Sequence, residues 1–235
     1  RYSLDLSPSE GRAVFDSAQA LRTLLEGDTE GAVRRARPLR ANLDLAVARA
    51  RREQRFGDEA KARRMYRKCV RMDPRDGRAY LALSRLEGRR GRPKFGGRDG
   101  DQAVDQATQR ARKWLEDGCA ACGGSNAHLW QAWGVLEGRE GAVARARQYY
   151  EAALAADEAH APAWHALGKL EERQGDKARA MELYRTGIKR CAPNEWLQQS
   201  LAMLEWEAGR PDQARMHFRG AVALDAGSAP PHTPW

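Results

Sequence analysis

The chain has 235 residues, 42% of them hydrophobic and 31% charged, with a net charge of +9 and a pI near 9.7. That balance excludes a collagen-like or disordered chain, and no stretch approaches the ~20 apolar residues of a membrane-spanning helix. Ala occurs 41 times against eight Val and one Ile (Ile188), so helix formers abound, strand formers are scarce, and the expected class is all-α.

Of the 41 basic residues, 34 are Arg. Arg suits bidentate phosphate contacts and stacking on bases, although a GC-rich genome would enrich it as well. Cys69, Cys119, Cys122 and Cys191 are scattered, which argues against a disulfide scaffold and for a reducing compartment. The first residue, Arg1, and the terminal Pro-Pro-His-Thr-Pro-Trp lead us to expect a piece of something longer.

In chain order, residues 1–39 are expected to hold a capping helix and a linker. The helix is expected over 7–26, where Ser-Pro-Ser-Glu supplies a cap with Pro in the first turn. Val14, Ala18, Leu21 and Leu25 would form its apolar face. Residues 40–226 are organised by a repeat. The segments YLALSRLEGRRG, WQAWGVLEGREG, WHALGKLEERQG and QQSLAMLEWEAG align without gaps, and AVARARREQRFG is a weaker copy upstream. Their glutamates are Glu53, Glu87, Glu137, Glu171 and Glu205, spaced by 34 residues except for one step of 50. A glycine follows four residues after each, at Gly57, Gly91, Gly141, Gly175 and Gly209.

Each segment predicts a helix, because Trp130, Trp133 and Leu136, like Trp164, Leu167 and Leu170, form one apolar stripe. A small residue stands three before each Glu (Ala50, Ser84, Gly134, Gly168, Ala202), which would let a second helix approach closely. That second helix is signalled by Ala62, Tyr66 and Cys69, by Ala146, Tyr150 and Ala153, by Ala180, Tyr184 and Gly187, and by Ala214, Phe218 and Ala221. The predicted architecture is therefore an α-solenoid of stacked 34-residue hairpins. The long step carries an insertion at about 88–102, rich in Gly and Arg, which predicts a flexible loop. Residues 227–235 are read as a tail.

A 34-residue hairpin with this Trp, small, Ala, aromatic, Ala pattern resembles a tetratricopeptide repeat. The recurring Glu, followed by Ala-Arg at Ala62-Arg63, Ala111-Arg112, Ala146-Arg147 and Ala214-Arg215, is more similar to the HAT (half-a-TPR) variant. Within that variant the chain most resembles chloroplast factors that bind the 5′ ends of photosystem II messenger RNAs. Met181 in place of the Arg, and Gln198 in place of the Trp, depart from the pattern. The resemblance implies sequence-selective single-stranded RNA binding in organellar mRNA processing, stabilisation or translation, in the chloroplast or alternatively the nucleus.

Basic charge recurs with the repeat. Two residues after each Glu stand Arg55, Arg89, Arg139, Arg173 and finally Glu207; two before stand Arg51, Arg85, Val135, Lys169 and Met203. These positions lie off the apolar stripe, and in a solenoid the first helices would align them as a basic lane for an RNA backbone. His128, Gln131, His165 and Trp196 fall early on first helices, where they would reach unpaired bases. Trp130 and Trp164 sit at packing positions and are expected in the core. The Glu is expected to pair with an Arg of the neighbouring helix, as Glu137 with Arg147. Cys119-Ala-Ala-Cys122 is half of a zinc motif with no second pair at suitable spacing, so no metal or cofactor is expected. No phosphate-binding loop, nucleophile elbow or dinucleotide fingerprint occurs, and a binding protein rather than an enzyme is expected. The alternative is a protein-interaction scaffold, its partner held in the groove or on the Arg-rich second helices.

Overall fold

The structure is a computed structural model that describes residues 40–90 and 98–228. The expected capping helix lies outside the described residues. Those described form ten helices: α1 (Arg40–Phe56), α2 (Glu59–Met72), α3 (Gly77–Arg90), α4 (Arg98–Ala121), α5 (Ala127–Arg139), α6 (Val143–Ala156), α7 (Ala161–Arg173), α8 (Lys177–Arg190), α9 (Glu195–Glu207) and α10 (Pro211–Ser228). No strand occurs among them. Consecutive helices pack as hairpins in α1–α2, α5–α6, α7–α8 and α9–α10, as the period predicts, and α3 meets α4 through Arg110 on Glu87 at 3.3 Å and Trp114 beside Tyr80 at 6.2 Å between ring centroids. The chain divides into two compact units, one ending at Ala79 and one beginning at Tyr80.

In the first unit α1 packs on α2. Leu43, Val47 and Ala50 are buried from α1, and Ala62, Tyr66 and Cys69 from α2. Asp58 caps α2, its carboxylate accepting from the Ala60 N–H at 2.7 Å. The Tyr66 hydroxyl donates to Gln54 Oε1 at 2.9 Å.

In the second unit the last three hairpins stack, with α5 against α7 and α7 against α9, so their first helices lie side by side. Their first helices all end in the same way. Gly141, Gly175 and Gly209 adopt φ of 77°, 87° and 72°. The N–H of the following residue then returns to the carbonyl of Glu137, Glu171 or Glu205 at 2.9, 3.0 and 2.9 Å. Only glycine takes this left-handed conformation at no steric cost, which is why it recurs.

The small position three before each Glu is a notch for the aromatic of the second helix. A Cβ on Gly134 would lie 2.5 Å from Tyr150 Cε1, and one on Gly168 would lie 2.2 Å from Tyr184 Cε1. Each ring rests on bare backbone. Around these rings Tyr150, Leu167, Leu170 and Leu183 form one core cluster, and Tyr184, Leu197, Leu201 and Leu204 the next. Each buried Leu stabilises by roughly 1.5–3 kcal/mol, so the hairpins are held chiefly by what they bury against one another.

Three expectations are corrected. The loop expected at about 88–102 is helical at both ends, since α3 runs to Arg90 and α4 starts at Arg98. The run from Ala103 to Gln109 contains neither Gly nor Pro. It extends the second helix to 24 residues where α2, α6 and α8 have 14. Likewise α10 continues through Ser228, into the expected tail. Trp130 and Trp164 are half-buried at the edge of the core, and their indole N–H groups donate to the carbonyls of Gly124 (2.7 Å) and Glu158 (2.8 Å).

The pairing of the recurring Glu is also displaced by one repeat. Glu137 does not bind Arg147; it accepts from Arg112 of the preceding hairpin at 2.6 and 3.0 Å, and from Arg145 at 3.1 Å. Arg147 instead holds Glu171 of the following hairpin at 2.7 and 2.8 Å. The cause is helical geometry. Ala146 is fully buried within its own hairpin, and Arg147, about 100° further round, is turned toward the next first helix. At the next junction Met181 occupies the position of this Arg, and Glu205 is bound by Arg185 and Arg210. Arg210 also reaches the Met181 sulfur at 3.1 Å. Burial pushes the Glu205 carboxyl up, but the two guanidinium groups outweigh it and hold it below the usual carboxylate range.

Candidate nucleic-acid interface

Six of the expected site residues converge on one cavity of about 410 Å³ in the second unit: Gln131 and Arg139 from α5, His165, Lys169 and Arg173 from α7, and Trp196 from α9. The convergence follows from the stacking. Gln131 and Arg139 lie eight residues apart on one face of α5, as do His165 and Arg173 on α7, and α9 carries Trp196 in its first turn.

Arg139 and Arg173 are exposed, while Lys169 donates to Glu172 at 2.9 and 3.0 Å. Trp196 is 53% exposed, leaving a ring face available for stacking. His165 is half-buried; its Nε2 lies 3.1 Å from Ser200 Oγ, and its ring stacks on Tyr184 with centroids 6.1 Å apart. Burial, and then Lys169, lower its pKa below the ordinary histidine value, so it is neutral at neutral pH and brings hydrogen-bonding capacity rather than charge.

The other expected residues are placed elsewhere. His128 is exposed and meets the buried His160 edge-on at 4.5 Å, outside the cavity. Arg85 is exposed on α3, and Arg89 falls in the last turn of α3, its side chain outside those described. Arg51 and Arg55 are exposed on α1 in the first unit. Cys119 is buried, and burial pushes its thiol up to about 12, which disfavours the thiolate a metal would need. Among the described residues no three His, Cys, Asp or Glu side chains group as a metal site, and no helix is long and apolar enough to cross a membrane.

Sequence reasoning missed the floor of the cavity, which is Tyr150 beneath Gly138. The signal lay in the residue just after each recurring Glu: Gln54, Gly88, Gly138, Glu172 and Trp206. In the first and fourth hairpins that residue receives the tyrosine hydroxyl, Tyr66 to Gln54 at 2.9 Å and Tyr184 to Glu172 at 3.1 Å. In the third hairpin it is Gly138.

The helix hairpins, the left-handed glycine turns and the notched aromatics define a tetratricopeptide-type helical-repeat protein. The chain carries tetratricopeptide repeats, with matches to that family over residues 132–195 and 43–86. It is 41% identical over 169 residues to the chloroplastic PsbB mRNA maturation factor Mbb1 of Chlamydomonas reinhardtii, an alignment covering 69% of this chain and 23% of that protein. It is 35% identical over 127 residues to protein high chlorophyll fluorescent 107 of Arabidopsis thaliana, covering 53% of this chain and 17% of that one. The alignments thus take in less than a quarter of each relative's length. Among solved structures, PilF of Pseudomonas aeruginosa superposes with a TM-score of 0.59 at 15% identity, over 77% of this chain and 75% of that chain, a likeness of fold alone.

Proposed function

We propose that this chain is an RNA-binding segment of an organellar mRNA maturation factor, and that it holds single-stranded RNA along the first-helix face of its second unit. The observation that carries the reading is the cavity: two exposed guanidinium groups, a lysine, a neutral imidazole, an amide and an exposed indole face one space. Cations recurring at helix-pair spacing suit a phosphate backbone, and the interleaved Trp196 suits unpaired bases. The named role of the Chlamydomonas relative agrees with this, and its chloroplast location supports the same compartment here. The nuclear alternative gains no support from it. The role is binding, not catalysis.

Fluorescence anisotropy with single-stranded RNA across a salt series tests the reading. Changing Arg139, Lys169 and Arg173 together to Ala should weaken binding and flatten the salt slope by about 2, at roughly 0.7 per phosphate contact. The control is Arg179, Lys189 and Arg190 of α8, exposed cations that do not line the cavity. An equal loss in the control would reduce the site to diffuse charge.

A second reading rests on α9. There Met203 is 49% exposed and Trp206 56% exposed, where earlier hairpins carry cations at or beside the same positions. This apolar stretch favours a protein partner at the last hairpin, and a wild-type chain that ignores single-stranded RNA would make the scaffold reading the better one.

A further inference from the structure

We propose that the cavity seats a single nucleotide of the bound RNA, whose base enters over Gly138 and is read by the Tyr150 hydroxyl. The inference rests on the RNA-binding reading above and adds to it the place where one base is read and the residues that read it.

Tyr150 is 5% exposed. Its ring is fixed in the Gly134 notch, which delivers the hydroxyl to the level of Gly138, 3.8 Å from where a Cβ would stand. The equivalent hydroxyls of Tyr66 and Tyr184 are engaged by Gln54 and Glu172. Gly138 supplies no such group, and among the described residues the Tyr150 hydroxyl has no hydrogen-bond partner. Among the described residues the side-chain atoms sealed in the core without a hydrogen bond include Trp133 Nε1 and His160 Nε2 but not the Tyr150 hydroxyl, which is accessible to a ligand. Here it faces a cavity whose rim carries Arg139 and Arg173 and whose mouth carries Trp196.

The cavity's chemistry matches a nucleotide part by part. Its volume, about 410 Å³, lies in the lower part of the range for ligand sites, about 300–1,000 Å³, and suits one nucleotide rather than a helix or a loop. Apolar Val135, Pro162 and Leu170 line it and would accept the faces of a base. Trp196 would stack on the base, and Arg139 and Arg173 would hold the flanking phosphates. A phenol hydroxyl both donates and accepts, so with the Gln131 amide it can engage a base edge. The second hairpin has Gly88 at the same position but Leu115 in place of the tyrosine, and the fifth has Trp206 over Phe218. Of the five hairpins, the third alone combines an open lid with a hydroxyl beneath it.

The test uses the whole chain with labelled oligoadenylate, oligouridylate and oligocytidylate, read by anisotropy. Gly138→Gln recreates the Gln54 arrangement. A Cβ there meets only ordinary contacts at 3.7 and 3.8 Å, so the fold should hold, as a thermal melt would verify. Wild-type protein should prefer one homopolymer. Gly138→Gln should weaken that one by about tenfold, bringing it level with the others. Tyr150→Phe, which removes only the hydroxyl, should erase much of the preference while leaving the weaker homopolymers unchanged. If the wild type binds RNA without preference, or both variants match it on every oligomer, the seat is wrong while the basic lane stands. If the wild type binds none of them, both readings fall together.

Discussion

The third and fourth hairpins are built to one plan and differ at two positions of consequence. Each rests a tyrosine on a glycine notch, closes its first helix on a left-handed glycine and buries a glutamate beside that turn. The first difference is the residue after the glutamate, Gly138 in one and Glu172 in the other. The second is the residue that faces the following hairpin, Arg147 in one and Met181 in the other. The repeated parts hold the stack together, and the unrepeated ones create the cavity and vary the junctions. In a solenoid this division is expected, because each hairpin contacts only its neighbours and a local change need not propagate.

The junctions offer the strongest way to break the likeness. Arg147→Met gives the third hairpin the fourth hairpin's residue without its compensation. Glu171 is 6% exposed and Arg147 is its cationic partner, whereas Glu205 keeps Arg185 and Arg210. Removing one member of a largely buried pair leaves a buried charge. Because the Arg147 side chain is 41% exposed, the cost is discounted to about 2–3 kcal/mol, read as a lower denaturation midpoint. A variant as stable as the wild type would show that the relayed pairs are ornamental.

How far the sequence reveals this arrangement depends on the physics at each position. Hairpins, notches and turns are legible because they rest on period and residue size, which are local. The six cavity residues are legible for the same reason, since positions eight apart on adjacent first helices share a face once the stack is granted. The glutamate pairing was misplaced because a 34-residue alignment cannot tell whether Arg147 faces its own hairpin or the next; that depends on the packing of Ala146. The loop expected at about 88–102 is shorter in the structure because its Gly- and Arg-rich centre masks helix-forming residues on both flanks. The Gly138 opening went unnoticed because glycine beside a helix end reads as a terminator, and its importance lies in a hydroxyl twelve residues away.

Acid separates the junctions next. The Glu205 carboxyl titrates below its unfolded value of about 4.3, so its pair stabilises the last hairpin fully above that pH and is lost as pH falls through the folded value. Arg210→Met leaves Arg185 as the remaining cation and raises the folded value. Stability should then decline less steeply on acidification below about pH 4, from a lower starting point at neutral pH. Parallel acid limbs for variant and wild type, followed by circular dichroism, would show that Arg210 is not what holds the Glu205 carboxyl low.

The smallest expected effect is the reciprocal exchange of Gly138 and Glu172. Gly138→Gln replaces a helical glycine near the end of α5, which contributes up to about 0.5 kcal/mol, and gives the Tyr150 hydroxyl an acceptor, worth about 0.5–1 kcal/mol more. The melting temperature should rise by about 1–6 °C, given about 2–4 °C per kcal/mol for a domain of this size. Glu172→Gly does the opposite in the fourth hairpin. It removes the acceptor at 3.1 Å from Tyr184 and frees Lys169, which Glu172 holds at 2.9 Å, so stability should fall by about 1–2 kcal/mol while the cavity gains an unpaired cation. RNA affinity and stability should therefore move in opposite directions in both variants: Gly138→Gln more stable and weaker in binding, Glu172→Gly less stable and tighter. Affinity that tracks stability in Gly138→Gln would mean that the openness of the third hairpin has no part in binding and that Gly138 is only a tolerated gap above a tyrosine, and the same result in Glu172→Gly would mean that Lys169 makes no phosphate contact.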